Sequence, residues 1–210
     1  RSGYDDNRRY RRDFLHIPIG LSLGVVEMVA STKRIVKESL FALLISATVS
    51  ALAGFFLQIE VEKILALPFL LALIPPINDM GGNIGSILGA RLSSALHLGL
   101  IEPKLKRQKV LSENLIEATA SGLFSFLFVS IVLIFLGSVR GFSDPFRFSA
   151  TFILTGVILV PLIVLSSMMV TVISYVKGLD PDNIVGPLIT SIGDVLGVLT
   201  LLLVSKIVWV

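Results

Sequence analysis

Long apolar runs alternate along this chain with short polar interruptions, and within each run the hydrophobic residues are continuous. Five runs can be drawn, at about residues 40–57, 64–100, 115–136, 148–175 and 184–208. Each reaches or approaches the roughly 20 apolar residues that carry a helix across a bilayer. A transmembrane barrel would instead show segments of about ten residues with alternating polarity. The pattern predicts an all-α integral membrane protein with five transmembrane helices. The second run is too long for one straight crossing, and its middle carries Pro75, Pro76, Asn78, Asp79, Gly81, Gly82 and Asn83. The expectation is therefore a long second helix broken between Pro75 and Asn83. Broken backbone persists in a membrane only where protein buries it or a polar cavity faces it. Discontinuous helices are also where transporters tend to place ion sites, so this segment is the first candidate for a pathway.

Ahead of the first run, Ile19 to Glu38 places Leu21, Val25, Met28, Val29, Ile35 and Val36 at helical spacing, with Glu27, Lys33, Arg34 and Lys37 elsewhere. This fits an interfacial helix or a helix packed beneath the bundle. Residues 1–13 are polar and read as a disordered tail. The expected organisation is a cytoplasmic tail with an interfacial helix over 1–38, then one five-helix membrane domain over 39–210.

Charge sets the orientation. Arg1, Arg8, Arg9, Arg11, Arg12, Lys33, Arg34 and Lys37 precede the first run, Lys104, Lys106, Arg107 and Lys109 separate the second from the third, and Lys177 follows the fourth. The other side holds only Lys63, Arg140, Arg147 and Lys206. The positive-inside rule then makes this a multi-pass cell-membrane protein with its N-terminus cytoplasmic and its C-terminus outside. Composition agrees: 54% of residues are hydrophobic and 16% charged, against roughly 25% charged in soluble domains. A net charge of +3 in such a chain reflects topology, and no nucleic-acid partner is expected. The chain has no cysteine, which excludes disulfides and thiolate metal sites. It shows no nucleophile–base pair, phosphate-cradling loop or flavin signature, so an enzyme is not expected.

Ionisable and amide groups inside spans are costly unless satisfied, and each is a functional candidate. Asp194 lies about ten residues into the fifth run, near mid-membrane at about 1.5 Å per residue. Thr190 stands one turn before it, with Gly186 a further turn back and Gly197 nearly a turn ahead. That line offers a carboxylate and a hydroxyl to a cation; alternatively Asp194 is protonated or pairs with Arg91. Asp79 is read either as the cap of a helix starting near Gly81 or as a cavity carboxylate, and Asn83 as a cavity amide. Gly81, Gly85, Gly89 and Ser93 recur every four residues, as closely packed membrane helices require. Asp180-Pro181-Asp182-Asn183 reads as a helix start capped by Asp180, or as a vestibule that gathers cations. Glu113 and Glu117 open the third run and favour its dipole. With so few histidines, among them His16 and His97, the oxygen donors point to a hard cation.

Taken together, Gly82-Asn83 followed by Arg91-Leu92-Ser93-Ser94-Ala95, Asp180-Pro181-Asp182-Asn183 with Gly186-Pro187, and Thr190 leading to Asp194 and Gly197 resemble the membrane domain of MgtE-type magnesium transporters, shared with solute carrier family 41. The resemblance covers about residues 37–210. It implies a five-helix domain that pairs with a second copy, a homodimer in the lipid bilayer with the cation pathway between subunits. It also implies Mg2+ as the transported ion, Asp194 at the ion site, and Gly82 and Asn83 lining the same path. Mg2+ keeps its waters and is held through one or two carboxylates plus water-mediated contacts, which suits a metal-facing set of Asp194, Asn83, Thr190, Gly82 and Asp79. Bacterial members carry large cytoplasmic regulatory domains, for which residues 1–38 leave no room, so that gating is not expected. Eukaryotic relatives hold two such domains in one chain, whereas this chain has one. Two alternatives remain open: exchange of Mg2+ against Na+ or H+, with Asp79 or Glu117 taking the coupling ion, and a non-transporting membrane scaffold.

Overall fold

In the bilayer interior no water can pair a free peptide group, so apolar runs of this length satisfy their backbone internally as helices. A computed structural model describes residues 19–62, 69–104, 106–140 and 144–209. Among the described residues five long helices follow in order: α1 Ile19–Ile59, α2 Phe69–His97, α3 Lys109–Arg140, α4 Pro145–Val176 and α5 Pro181–Val208. Among the described residues no strand occurs. The stretches Thr32–Ile59, Lys109–Val139, Pro145–Val176 and Pro181–Val208 are long and apolar enough to cross a membrane. The chain divides into two compact units, Arg1–Glu38 and Ser39–Val210, and the bundle belongs to the second.

Local sequence sets the helix ends. Asp180 caps α5 by accepting the Asp182 N–H at 3.1 Å, with Pro181 at the first helical position, as the sequence predicts. Asp144 caps α4 in the same way through the Arg147 N–H at 3.0 Å. At the C-terminus of α2, Gly99 takes φ +68° while Leu100 N–H reaches Ala95 O at 2.9 Å and Gly99 N–H reaches Leu96 O at 3.1 Å. That paired closure requires a left-handed residue, for which glycine is the unstrained choice.

Helix directions follow from which residues meet. A Cβ built on Gly81 would touch Leu159 and Gly193, and Gly89 faces Ser167 and Val185, so α2 runs parallel to α4 and antiparallel to α5. Gly122 faces Val160, while Ser130 and Ser149 exchange hydroxyl-to-carbonyl bonds at 3.2 and 2.7 Å. Thus α3 runs antiparallel to α4. Ser46 meets Pro187 and Ser50 meets Asp194, so α1 and α5 run parallel. Successive helices therefore cross in opposite senses, as a five-crossing chain requires. Between α2, α4 and α5 lie the fully buried Leu73, Ile77, Leu88, Leu159, Ile163, Ile189 and Leu201.

Two expectations change. The break predicted between Pro75 and Asn83 is absent, and α2 is one continuous helix with both prolines inside it. Proline's fixed φ is itself helical; what it removes here is two donors, opposite the carbonyls of Leu71 and Ala72. Neighbouring helices allow membrane segments to tolerate that loss. Asp79 consequently caps nothing: it sits mid-helix and accepts a hydrogen bond from Asn83 Nδ2 one turn on, at 3.1 Å. Helix α1 begins at Ile19, ahead of the first span. The apolar stripe from Leu21 to Val29 lies outside the described side chains, and the tail over 1–13 outside the described residues.

Candidate cation site

The polar residues singled out in the sequence fall into three adjoining groups. At the α2–α5 crossing the backbones nearly touch. A Cβ on Gly193 would lie 3.3 Å from Gly82 N, and one on Gly82 would lie 3.4 Å from both Thr190 Cγ2 and Oγ1. Thr190 stays exposed and donates its own proton to Gly186 O at 2.9 Å. Beside it on α2, the exposed pair Asp79 and Asn83 is joined by the hydrogen bond that the Asn83 amide donates to the Asp79 carboxylate. Asn83 also borders a side cavity of about 270 Å³ between α2 and α3, which Arg91, Ser121 and Ser125 help line.

Asp194, half-buried, forms the third group with α1. Ser50 Oγ lies 2.9 Å from Asp194 Oδ2 and 3.0 Å from Ser191 Oγ. Ser191 and Ser46 hydroxyls are in contact, and Ser46 donates to Pro187 O at 2.8 Å. Among the described residues no hydrogen bond joins Asp194 to Asp79, Asn83 or Thr190. The structure thus brings Gly82 to Thr190 and Asp79 to Asn83, and leaves Asp194 with a different partner.

Arg91, the alternative partner for Asp194, is committed elsewhere through an ion pair with Glu117 at 2.9 Å. His97 was not anticipated beside the acidic start of α5: His97, Asp180 and Asp182 place their ligand atoms within 4.8 Å of one another at the surface where α2 ends and α5 begins. Sequence reasoning also missed Ser46 and Ser50. The available signal was their four-residue spacing on one face of an otherwise apolar run, matching the three-residue step from Ser191 to Asp194.

Residues 74–204 match the protein family described as MgtE, divalent cation transporter. The chain belongs to the MgtE family. Membership accords with the multi-pass membrane architecture and with transport in place of enzymatic chemistry. The chain is also 30% identical over 147 residues to solute carrier family 41 member 3 of Mus musculus, covering 65% of this chain and 29% of that protein. For the same protein of Rattus norvegicus the identity is 29% over 145 residues, covering 65% and 30%. The chain therefore spans about three tenths of the length of these curated relatives. No solved structure matches. The MgtE match includes Asp79, Gly82, Asn83, Thr190 and Asp194, while all of α1 lies outside it.

Proposed function

We propose that this protein moves a divalent cation, Mg2+ foremost, across the cell membrane through a pathway formed between two copies of the five-helix domain. The observation that carries this reading is Asp194, a carboxylate half-buried deep in an apolar helix, without a basic partner among the described residues and held by one hydroxyl. A membrane protein retains such a group at a cost of several kcal/mol, and a passing cation offsets it. Membership of a divalent cation transporter family supports the same assignment. Mg2+ suits a site with one carboxylate per copy, flanked by amide and hydroxyl groups that reach the ion through its retained waters.

The two-copy pathway rests on exposure. Asp79, Asn83 and Thr190 lie on the outside of a single bundle, where their bonds to each other and to Gly186 O leave part of the hydrogen-bonding capacity of a carboxylate and an amide facing lipid. A parallel two-fold pair covers them and brings two Asp194 carboxylates toward one axis. Lys104, Lys106, Arg107, Lys109 and Lys177 gather at the end of the bundle where α2 and α4 finish and α3 begins; the positive-inside rule makes that end cytoplasmic. Purified protein in liposomes should pass Mg2+ when Mg2+, Ca2+ and Mn2+ are compared, and adding a Na+ gradient separates simple flux from exchange. A cysteine placed at Thr190 in this cysteine-free chain should crosslink copies and reduce flux. Absence of Mg2+ flux counts against transport; full activity as a monomer counts against the shared pathway.

A further inference from the structure

Helix α1 is the least embedded of the apolar helices: in its most apolar stretch 11% of residues are buried, against 56% in α5. Leu40, Phe41, Leu43, Leu44, Leu52 and Phe55 are all exposed. Yet two polar side chains of its middle turns converge on one place. Ser46 and Ser50, one turn apart, meet Pro187 O, Ser191 Oγ and Asp194 Oδ2 on α5. A helix held by apolar packing alone would have no need of that register.

Proton bookkeeping assigns the bonds. Each hydroxyl carries one proton, and an ionised carboxylate only accepts. The Ser50 proton therefore goes to Asp194 Oδ2, Ser46 supplies Pro187 O, and Ser191 donates to one of the neighbouring oxygens. Among the described residues no other group donates to this carboxylate, so one oxygen of Asp194 is fixed from α1 and the other is left available. Hydrogen bonds to charged groups are the stronger kind, and a ligand fixed before the ion arrives loses less freedom when it binds.

We propose that Ser50 is a positioning residue for the transported cation: from α1 it fixes the Asp194 carboxylate and leaves the second oxygen to face the hydrated ion. This rests on the cation-site reading of Asp194. α1 is then part of the site's support, although it lies outside the stretch that matches the family.

The test is Mg2+ flux into liposomes as a function of Mg2+ concentration for the parent, Ser50→Ala, Ser50→Thr, Ser46→Ala and Asp194→Asn, with the melting temperature of each. Ser50→Ala should raise the half-saturating concentration about tenfold, the scale of one hydrogen bond to a charged group, with maximal flux within about twofold of the parent. Ser50→Thr keeps a hydroxyl and should restore the parent value, and Ser46→Ala, which removes a donor to a neutral carbonyl, should shift it less than Ser50→Ala. An unchanged or lowered half-saturating concentration in folded Ser50→Ala, or a Ser50→Thr as impaired as Ser50→Ala, overturns the proposal. Inactive Asp194→Asn beside an unaffected Ser50→Ala overturns the positioning role alone; normal flux through Asp194→Asn overturns the cation site and this role with it.

Discussion

α5 is gripped on two flanks by two different devices. Against α2 it packs backbone to backbone: Gly81, Gly82, Gly85 and Gly89 present no side chain to Gly193, Thr190, Ile189 and Val185. Against α1 the contact adds hydroxyls, Ser46 on Pro187 O and Ser50 on Asp194, to a small apolar cluster in which Ala53, Phe56 and Leu57 meet Val195, Val198 and Leu202. The first device leaves almost no free space and fixes the depth of α5, because interiors packed to crystal density cannot shift without clashes. In the second, the Ser50 hydroxyl fixes the direction of one carboxylate. Depth and orientation of Asp194 are thus under separate control.

That division can be broken from the packed side first. A Cβ on Gly85 already collides with Ile189 and lies 2.9 Å from Ile163 Cγ2, so Gly85→Leu should abolish recovery of folded protein in detergent, as seen by size exclusion and thermal unfolding. Gly85→Ala should cost about 1–3 kcal/mol by overpacking, and a melting temperature equal to the parent would show that the crossing is looser than drawn. Next in size is Ser167→Ala, which removes a buried 2.6 Å bond from Ser167 Oγ to Gly85 O. It should cost about 1 kcal/mol and leave flux unchanged once folded. At Gly186 a Cβ meets nothing within 4 Å, so Gly186→Ala on the same helix should lie within about 0.5 kcal/mol of the parent.

The smallest effect belongs to the loop between α2 and α3. Lys106 and then Lys104, bonded to Glu102 at 2.8 and 3.2 Å, hold its carboxyl below the ordinary value of 4.5. A lowered folded pKa gives a contribution present above the unfolded pKa and lost as pH falls through the folded one. Glu102→Gln should therefore differ slightly from the parent in melting temperature at pH 7, and the difference should vanish in acid. A difference independent of pH would show that the pairing contributes nothing.

Much of this arrangement was legible from residues alone. The start of α5 was written in Asp180-Pro181, and the four-residue recurrence of Gly81, Gly85 and Gly89 announced a close crossing, because both depend on local backbone rules. The continuity of α2 was not legible: Pro75 and Pro76 remove donors whether the helix breaks or carries on, and the surrounding helices decide which. The partner of Asp194 was hidden for a similar reason. Hydroxyl side chains in an apolar run usually bond their own helix, as Thr48 does to Leu44 O at 2.9 Å, and only the parallel register of α1 and α5 turns Ser50 toward the carboxylate and Ser46 toward Pro187 O. Arg91 looked available for Asp194 until the fold placed Glu117 beside it.

The central claim is that the deep carboxylate of α5 meets the transported ion, and Asp194→Asn tests it with the side-chain volume kept. Mg2+ uptake into liposomes should fall to the background of empty vesicles while the variant still unfolds cooperatively near the parent's melting temperature. The stabilisation that Mg2+ gives the parent by binding its folded state should disappear as well. Uptake and stabilisation near the parent's values in well-folded Asp194→Asn would contradict the account and place the ion elsewhere in the bundle.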